Sequence, residues 1–115
     1  MVMQTLPEVS KMYTFIKKQK RPAAETLFFF EKQAYPTGYL EYIKQNYVET
    51  GKLVASQKIM SADNMSVEFI TTWRSRKDFL SYVTDNTVYD FIIIGNDYDI
   101  DNDIESIVTV TREPA

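Results

Sequence analysis

The sequence predicts one α+β domain whose strands and helices follow the order β-α-β-β-α-β. Four segments are rich in β-branched and aromatic residues, and two further segments carry apolar residues at helical spacing. With 115 residues, 44% of them hydrophobic, the chain has the size and composition of a single globular domain with its own core.

The first strand is predicted at residues 26–30, where four consecutive apolar residues (Leu27, Phe28, Phe29 and Phe30) are apolar on both alternations. A strand with one covered face alternates apolar and polar residues, so both faces of this strand are expected to be covered. Residues 12–16 can form a short strand, but the basic run that follows and Pro22 interrupt it. We therefore expect residues 1–22 to be an N-terminal extension and residues 23–115 to form the domain.

The first helix is predicted between Pro36 and Gly51, because Tyr39, Ile43 and Tyr47 recur at helical spacing. Gly51 stands where a left-handed C-terminal cap is expected.

Two strands follow, at residues 52–60 and 65–73. The segment between them, Ser-Ala-Asp-Asn, has the composition of a hairpin turn. The two strands are therefore predicted to be antiparallel neighbours.

The second helix is predicted to begin after Ser75, whose hydroxyl is placed to cap it, with Asp78 three positions later. Residues 87–94 continue either as a further helical turn or as a strand-like piece. Residues 95–103 are predicted to be a polar, acidic loop, and residues 104–111 form the last strand.

The acidic stretch from Asp97 to Glu105 alternates acids in the way that a calcium loop begins. Asn102 stands where such a loop needs Gly, and Val108 stands where it needs its bidentate Glu. A solvated acidic segment is therefore favoured, and no metal site is predicted.

Composition excludes several classes of function. The chain has neither Cys nor His, so it lacks disulfides, thiolate metal sites, cysteine nucleophiles and the usual haem ligand. A net charge of −3 argues against a nucleic-acid partner. The apolar runs fall far short of the roughly 20 residues that a membrane span needs, and the N-terminal residues lack a signal-peptide pattern. We expect a cytoplasmic protein with no membrane partner and no cofactor.

The segment around Trp73 carries a resemblance to a known family. A strand ends in a polar residue followed by Trp73, and a helix capped by Ser75 presents Phe79 one turn in. This pattern and the element order resemble the dimeric α/β-barrel superfamily, which includes antibiotic-biosynthesis and haem-degrading monooxygenases. Thr72 stands where such sequences often carry Glu.

The resemblance implies a ferredoxin-like fold: a four-stranded antiparallel sheet with its helices on one face, pairing through the other face into a homodimeric α/β barrel. The predicted strand at residues 26–30 agrees with this pairing. It is apolar on both faces, and the two helices cover only one of them. In haem-degrading relatives a Trp at the position of Trp73 lines the pocket. Haem degradation is nevertheless disfavoured, because there is no His and no Asn in the predicted first strand, and packing is the preferred role for Trp73.

The leading functional hypothesis is a small-molecule-binding protein that holds an apolar, lipid-like or aromatic ligand in a pocket of this homodimer. Strand alternation and the resemblance nominate six ligand-binding residues: Phe28, Phe30, Met60, Phe69, Trp73 and Tyr82. The first alternative is a cofactor-independent monooxygenase of the antibiotic-biosynthesis type, for which no catalytic residue is assigned. The second is a purely structural or regulatory dimer whose interior is simply packed.

Overall fold

The computed structural model describes residues 12–32 and 35–112, and within them it contains four strands and three α-helices. The predicted extension falls partly outside this range, since residues 1–11 are not described. The elements in chain order are β1 (Tyr13–Lys20), a 3-10 turn (Phe29–Lys32), α1 (Tyr39–Ile43) continued by a π-helical turn (Lys44–Val48), β2 (Leu53–Met60), β3 (Ser66–Trp73), α2 (Arg76–Val83), α3 (Asn86–Asp101) and β4 (Glu105–Arg112).

The strands form one antiparallel sheet in the order β2-β3-β1-β4. Tyr13 pairs with Trp73 at one end of the β1–β3 ladder, and Lys20 pairs with Ser66 at the other. This strand order, with β1 and β3 in the centre, is the ferredoxin-like arrangement that the sequence predicted.

The predicted location of the first strand is wrong. Residues 13–20, which were placed in an extension, form the central strand β1, so the predicted domain start at residue 23 is also wrong for them. Tyr13 and Phe15 lie on the covered face of this strand and belong to the core. Lys18 and Lys20 lie on the open face, whereas Lys17 lies on the covered face, opposite Phe69 of β3. Residues 26–30 are not a strand but lead into the 3-10 turn.

Arg21 explains why the aromatic segment turns instead of extending. The residue is only 5% exposed, and its guanidinium donates to the Asn64 and Thr26 carbonyls and, at 2.9 Å, to Glu31 Oε1. The same Glu31 oxygen accepts from the Phe28 backbone N–H at 2.9 Å, which closes the turn. The guanidinium also lies 4.6 Å from the centre of the Phe28 ring.

Helix α1 begins just after Gly38 and continues as a π-helical turn, and Gly51 adopts φ of +79° as its predicted capping role requires. The π turn places Tyr47 so that its hydroxyl reaches Asp85 Oδ2 at 2.6 Å, on the oxygen that also accepts from Tyr42 at 2.6 Å.

The second helical region is longer than predicted. Ser75 caps α2 by accepting from the Asp78 N–H at 3.1 Å, as expected, and Asp85 then caps α3 by accepting from the Thr87 N–H at 2.9 Å. Because α3 runs on to Asp101, the predicted acidic loop at residues 95–103 is wrong for most of its length. A helical backbone also removes the calcium-loop geometry, and no three metal-ligating side chains gather within the described residues.

The helices cover one face of the sheet. The larger core cluster joins Tyr13 and Trp73 of the sheet to Tyr47, Phe79 and Val88 of the helical layer. A smaller cluster joins the sheet to the aromatic segment, through Val67, Phe28 and Ile104. In the described part of the chain, no helix is long and apolar enough to cross a bilayer.

Candidate functional site

A cleft of about 240 Å³ lies between the covered face of the sheet, helices α2 and α3, and the segment that leads into α1. Its volume is just below the roughly 300–1,000 Å³ of most ligand pockets, so it suits a small molecule. Seven aromatic residues line it: Phe29, Phe30, Tyr35, Tyr39, Phe69, Tyr82 and Phe91. The remaining lining residues are Lys17, Gln19, Pro36, Ile92, Gly95, Asn96 and Asp99.

The aromatic side chains support one another around the cleft. The Phe30 and Phe69 rings meet edge to face with centroids 5.6 Å apart, and the Tyr39 and Phe91 centroids are 4.0 Å apart. Tyr35 stacks on Tyr39 at 5.6 Å. Phe29, the neighbour of Phe30, also meets Tyr35 edge to face at 5.3 Å, so the aromatic contacts connect the sheet, the 3-10 turn, α1 and α3 into one apolar wall.

The opposite part of the cleft is polar, and its main feature is Asp99 of α3. The Asp99 side chain is 5% exposed, and its Oδ2 accepts a hydrogen bond of 2.7 Å from Gln19 Nε2 on β1. Gln19 Nε2 also donates to Ser106 Oγ on β4 at 3.2 Å. Asp99 Oδ1 is buried and has no hydrogen-bond partner among the described residues.

The environment of Asp99 changes its acidity. Burial raises the pKa of the Asp99 carboxyl above its usual value, although the positive charge of Lys17 and the hydrogen bond from Gln19 act in the opposite direction. The cleft therefore contains a carboxyl group that holds a proton more readily than an exposed aspartate does.

Two tyrosine hydroxyls meet where α1 and α2 border the cleft. The Tyr39 and Tyr82 oxygens are 3.2 Å apart. Burial, followed by the neighbouring Tyr39, raises the pKa of Tyr82 far above its usual value, so Tyr82 is a neutral hydroxyl at physiological pH.

The six residues nominated from sequence divide into two groups. Phe30, Phe69 and Tyr82 line the cleft. Phe28, Met60 and Trp73 do not: Phe28 is fully buried beneath Arg21, and Met60 packs on the cluster that contains Phe28. Binding of a ligand by the first three stays a prediction.

Trp73 has the packing role that the sequence favoured. It is 1% exposed, it belongs to the larger core cluster, and its Nε1 donates to Thr71 Oγ1 at 2.9 Å. Its indole therefore has its hydrogen-bond partner inside the protein.

The polar residues of the cleft are not predicted from the sequence, because Lys17 and Gln19 fall in the expected extension and Asp99 falls in the expected acidic loop. One signal for Asp99 was available, because it follows Val88 and Ile92 at helical spacing and so belongs to the buried face of a continued helix.

Comparison with known proteins places the fold. No family model and no curated protein matches the chain. Solved structures do match, among them SnoaB, a cofactor-independent oxygenase from Streptomyces nogalater, with a TM-score of 0.62, 10% identity, and coverage of 91% of this chain and 95% of that one. The chain has the fold of that structure.

Two further structures agree with this result. The monooxygenase ActVA-Orf6 of Streptomyces coelicolor, in complex with nanaomycin D, matches with a TM-score of 0.62, 10% identity and 94% coverage of both chains. Rv0793 from Mycobacterium tuberculosis matches with a TM-score of 0.60, 12% identity, and coverage of 90% of this chain and 96% of that one. The predicted resemblance to antibiotic-biosynthesis monooxygenase-like proteins is thus confirmed for the fold, while pairing into a dimer stays a prediction.

Proposed function

We propose that the protein binds a small, mostly apolar molecule, aromatic or lipid-like, in the cleft between the sheet and the helices. The observation that carries this proposal is the cleft itself, a space of about 240 Å³ with seven aromatic residues in its lining. Concave, largely apolar sites with a few polar groups are typical of small-molecule binding.

Gly95 supports the same proposal. It lies inside α3, where glycine costs roughly 1 kcal/mol relative to alanine. It lines the cleft, and a Cβ built on it meets nothing within 4 Å. Its backbone is not in the left-handed region, so the helix itself does not require glycine at this position, while a side chain there would extend into open space.

Gly95 also provides a matched pair of variants. Gly95→Phe fills the cleft, whereas Gly95→Ala adds one methyl group to the same position and favours the helix. Suitable probes are 2-naphthol, as an aromatic, and decanoate, as a lipid-like molecule, with binding measured by equilibrium dialysis. We expect saturable binding of at least one probe by the wild type and by Gly95→Ala, and a loss of about tenfold or more in Gly95→Phe. Equal binding by Gly95→Phe, or no saturable binding by the wild type, would contradict the proposal.

A second candidate function is cofactor-independent oxygenation of an aromatic substrate. The similarity of fold to SnoaB, a cofactor-independent oxygenase, favours it, and so does the buried carboxyl of Asp99 beside the aromatic wall. Such a reaction needs an apolar site that takes up a substrate proton and excludes water. Oxidation of anthrone to anthraquinone replaces the two hydrogen atoms of its CH₂ group by one oxygen atom of O₂. These two hydrogen atoms leave with the other oxygen atom as water.

Oxygen consumption tests this second candidate. With anthrone as substrate we expect one O₂ consumed per anthraquinone formed, at a rate that falls in Asp99→Asn and is retained in Asp97→Asn, an exposed acid of the same helix. If anthrone is oxidised no faster with the protein than without it, oxygenation is refuted and ligand binding remains the proposed function.

We also infer that two copies of the chain pair through the open face of the sheet. The strand residues of both core clusters come from one face only. The other face carries Ile16 opposite Ile70, together with Ile59 and Ile107, which are 48% and 63% exposed. These side chains give the open face an apolar component that a second sheet would cover.

Sedimentation tests the pairing. We expect a dimer at micromolar concentration and a monomer for the Ile70→Lys variant. A wild-type monomer would contradict the inference. A dimer that binds neither 2-naphthol nor decanoate would favour the remaining hypothesis, a structural or regulatory dimer.

A further inference from the structure

One carboxylate oxygen of Asp99 has a hydrogen-bond partner, and the other has none among the described residues. Its Oδ2 accepts from Gln19, whereas Oδ1 is buried without a hydrogen-bond partner among the described residues. A buried acceptor without a partner is unfavourable, because its hydrogen bonds to water are lost and not replaced. Asp99 lines the cleft, but Oδ1 itself has almost no exposed surface, so a bound molecule supplies the missing donor by displacing the atoms that cover this oxygen.

The orientation of the carboxylate is fixed from two sides. On the side-chain end, Gln19 Nε2 donates both to Asp99 Oδ2 and to Ser106 Oγ, so rotation of the Gln19 amide would break two hydrogen bonds. On the backbone end, the Asp99 carbonyl accepts from the Ile104 N–H at 2.9 Å and ends the helix there. The first contact orients the Asp99 carboxylate, and with it Oδ1, while the second fixes the backbone that carries it.

The positive charge of Lys17 favours a neutral donor group over a cationic one beside Asp99. Lys17 lines the same cleft, and its positive charge acts on Asp99. A cationic ligand group at Asp99 would meet the like charge of Lys17, whereas a neutral hydroxyl or N–H group would not.

We propose that Asp99 is the specificity-determining residue of the cleft, and that it selects ligands whose apolar body carries a neutral hydrogen-bond donor, a hydroxyl or N–H group. The donor binds Asp99 Oδ1, while the ligand body lies against Phe69 and Phe91. This inference rests on the proposed function, because it assigns a chemical class to the ligand of that cleft.

The Asp99→Asn variant reverses the polarity of the available atom. Gln19 Nε2 still requires an acceptor, so the amide oxygen of the new side chain faces Gln19 and its NH₂ group takes the place of Oδ1. The substitution thus replaces a hydrogen-bond acceptor by a donor with almost no change in size. Asp97→Asn makes the same chemical change at an exposed position of α3 and serves as the control.

The test compares 2-naphthol, which has a hydroxyl donor, with 2-methoxynaphthalene, which has only an acceptor. We expect the wild type and Asp97→Asn to prefer 2-naphthol by roughly tenfold, and Asp99→Asn to lose or reverse that preference. The additional methyl group of the ether affects all three proteins alike, so its effect cancels when the affinity ratios are compared.

The outcomes separate the inference from the proposed function. If the wild type binds both compounds equally well, or if Asp99→Asn keeps the wild-type ratio, the role of Asp99 is refuted while the binding cleft stands. If the wild type binds neither compound nor decanoate, the proposed function fails. If Asp99→Asn folds poorly, a wild type without any preference for 2-naphthol still refutes the role of Asp99.

Discussion

Gln19 Nε2 donates to Asp99 Oδ2 at 2.7 Å, which joins the central strand β1 to the last turn of α3 across 80 positions of sequence. This bond holds the Asp99 carboxylate against the sheet, while its second oxygen is buried without a hydrogen-bond partner among the described residues. Burial at this position disfavours the ionised form of the carboxyl group, so the stability of the fold depends on pH.

The first prediction concerns the pH dependence of stability at Asp99. Burial raises the pKa of Asp99 in the folded state above its value of about 3.9 in the unfolded chain. The folded state therefore binds more protons than the unfolded state between these two values, and its stability falls as pH rises through that window. Asp99→Asn has no such group. We expect the free energy of unfolding of the wild type, relative to Asp99→Asn, to decrease as the pH rises from about 4 through the folded-state pKa of Asp99.

Urea denaturation of both proteins across this range provides the measurement. All other titrating groups are common to the two proteins and cancel in the difference. A difference that instead increases with pH would mean that the protein stabilises the charged form of Asp99.

Asp85 is predicted to behave in the opposite way. Burial opposes its ionisation, but hydrogen bonds from Tyr42 and Tyr47 outweigh burial and hold the pKa of Asp85 below its usual value. Its contribution to stability is therefore present above about pH 4 and is lost as pH falls through the folded-state pKa. We expect the wild type to lose stability relative to Asp85→Asn on acidification. Asparagine also caps helices well, so the start of α3 is preserved.

Denaturation curves between about pH 2 and pH 5 decide this prediction. A difference between the two proteins that does not vary with pH in this range would show that the tyrosine hydroxyls do not favour the carboxylate.

The third prediction concerns Arg21, which holds the aromatic segment against the hairpin between β2 and β3. Arg21→Lys keeps the charge but cannot donate simultaneously to Asn64, Thr26 and Glu31. We expect it to lower the free energy of unfolding by about 2–3 kcal/mol, measured by urea denaturation. Arg76→Lys makes the same change at an exposed position of α2, and its effect should stay within about 0.5 kcal/mol. If the two substitutions lower the free energy of unfolding equally, Arg21 does not anchor the aromatic segment.

The same residues show which parts of the fold can be predicted from the sequence. The hairpin, the Ser75 cap, the Gly51 cap and the element order are local, because each depends on residues close together in the chain. The first strand was misplaced because Lys17, Lys18 and Lys20 resemble a solvated run, and only the ladder with β3 makes them part of the sheet. The turn at residues 26–32 depends on Arg21 and Asn64, which no local pattern connects.

The cleft was predictable only in part, for the same reason. Phe69 and Tyr82 were found because they lie on the predicted covered faces of a strand and a helix. Asp99 was missed because the many acids around it indicated a loop, and its burial depends on Gln19, far away in sequence.

The fourth prediction separates the cleft from the core. Trp73→Phe should lower the free energy of unfolding by about 1–3 kcal/mol, since the indole is buried and its N–H is bonded to Thr71. It should leave the affinity for 2-naphthol within about twofold, because Trp73 does not line the cleft. Phe69→Ala should weaken binding by about fivefold or more through the loss of an aromatic wall. Dialysis and denaturation of both variants give the comparison, and a Trp73→Phe protein that is stable but no longer binds would place the ligand elsewhere.

Amide chemical shifts during titration with 2-naphthol show whether the space between the sheet and the helices is a binding site. We expect saturable shifts concentrated at Lys17, Gln19, Phe69, Gly95 and Asp99, with little change at Ile16, Ile70 and Ile107 on the open face. Shifts concentrated on the open face, or no saturable shifts at all, would contradict this expectation.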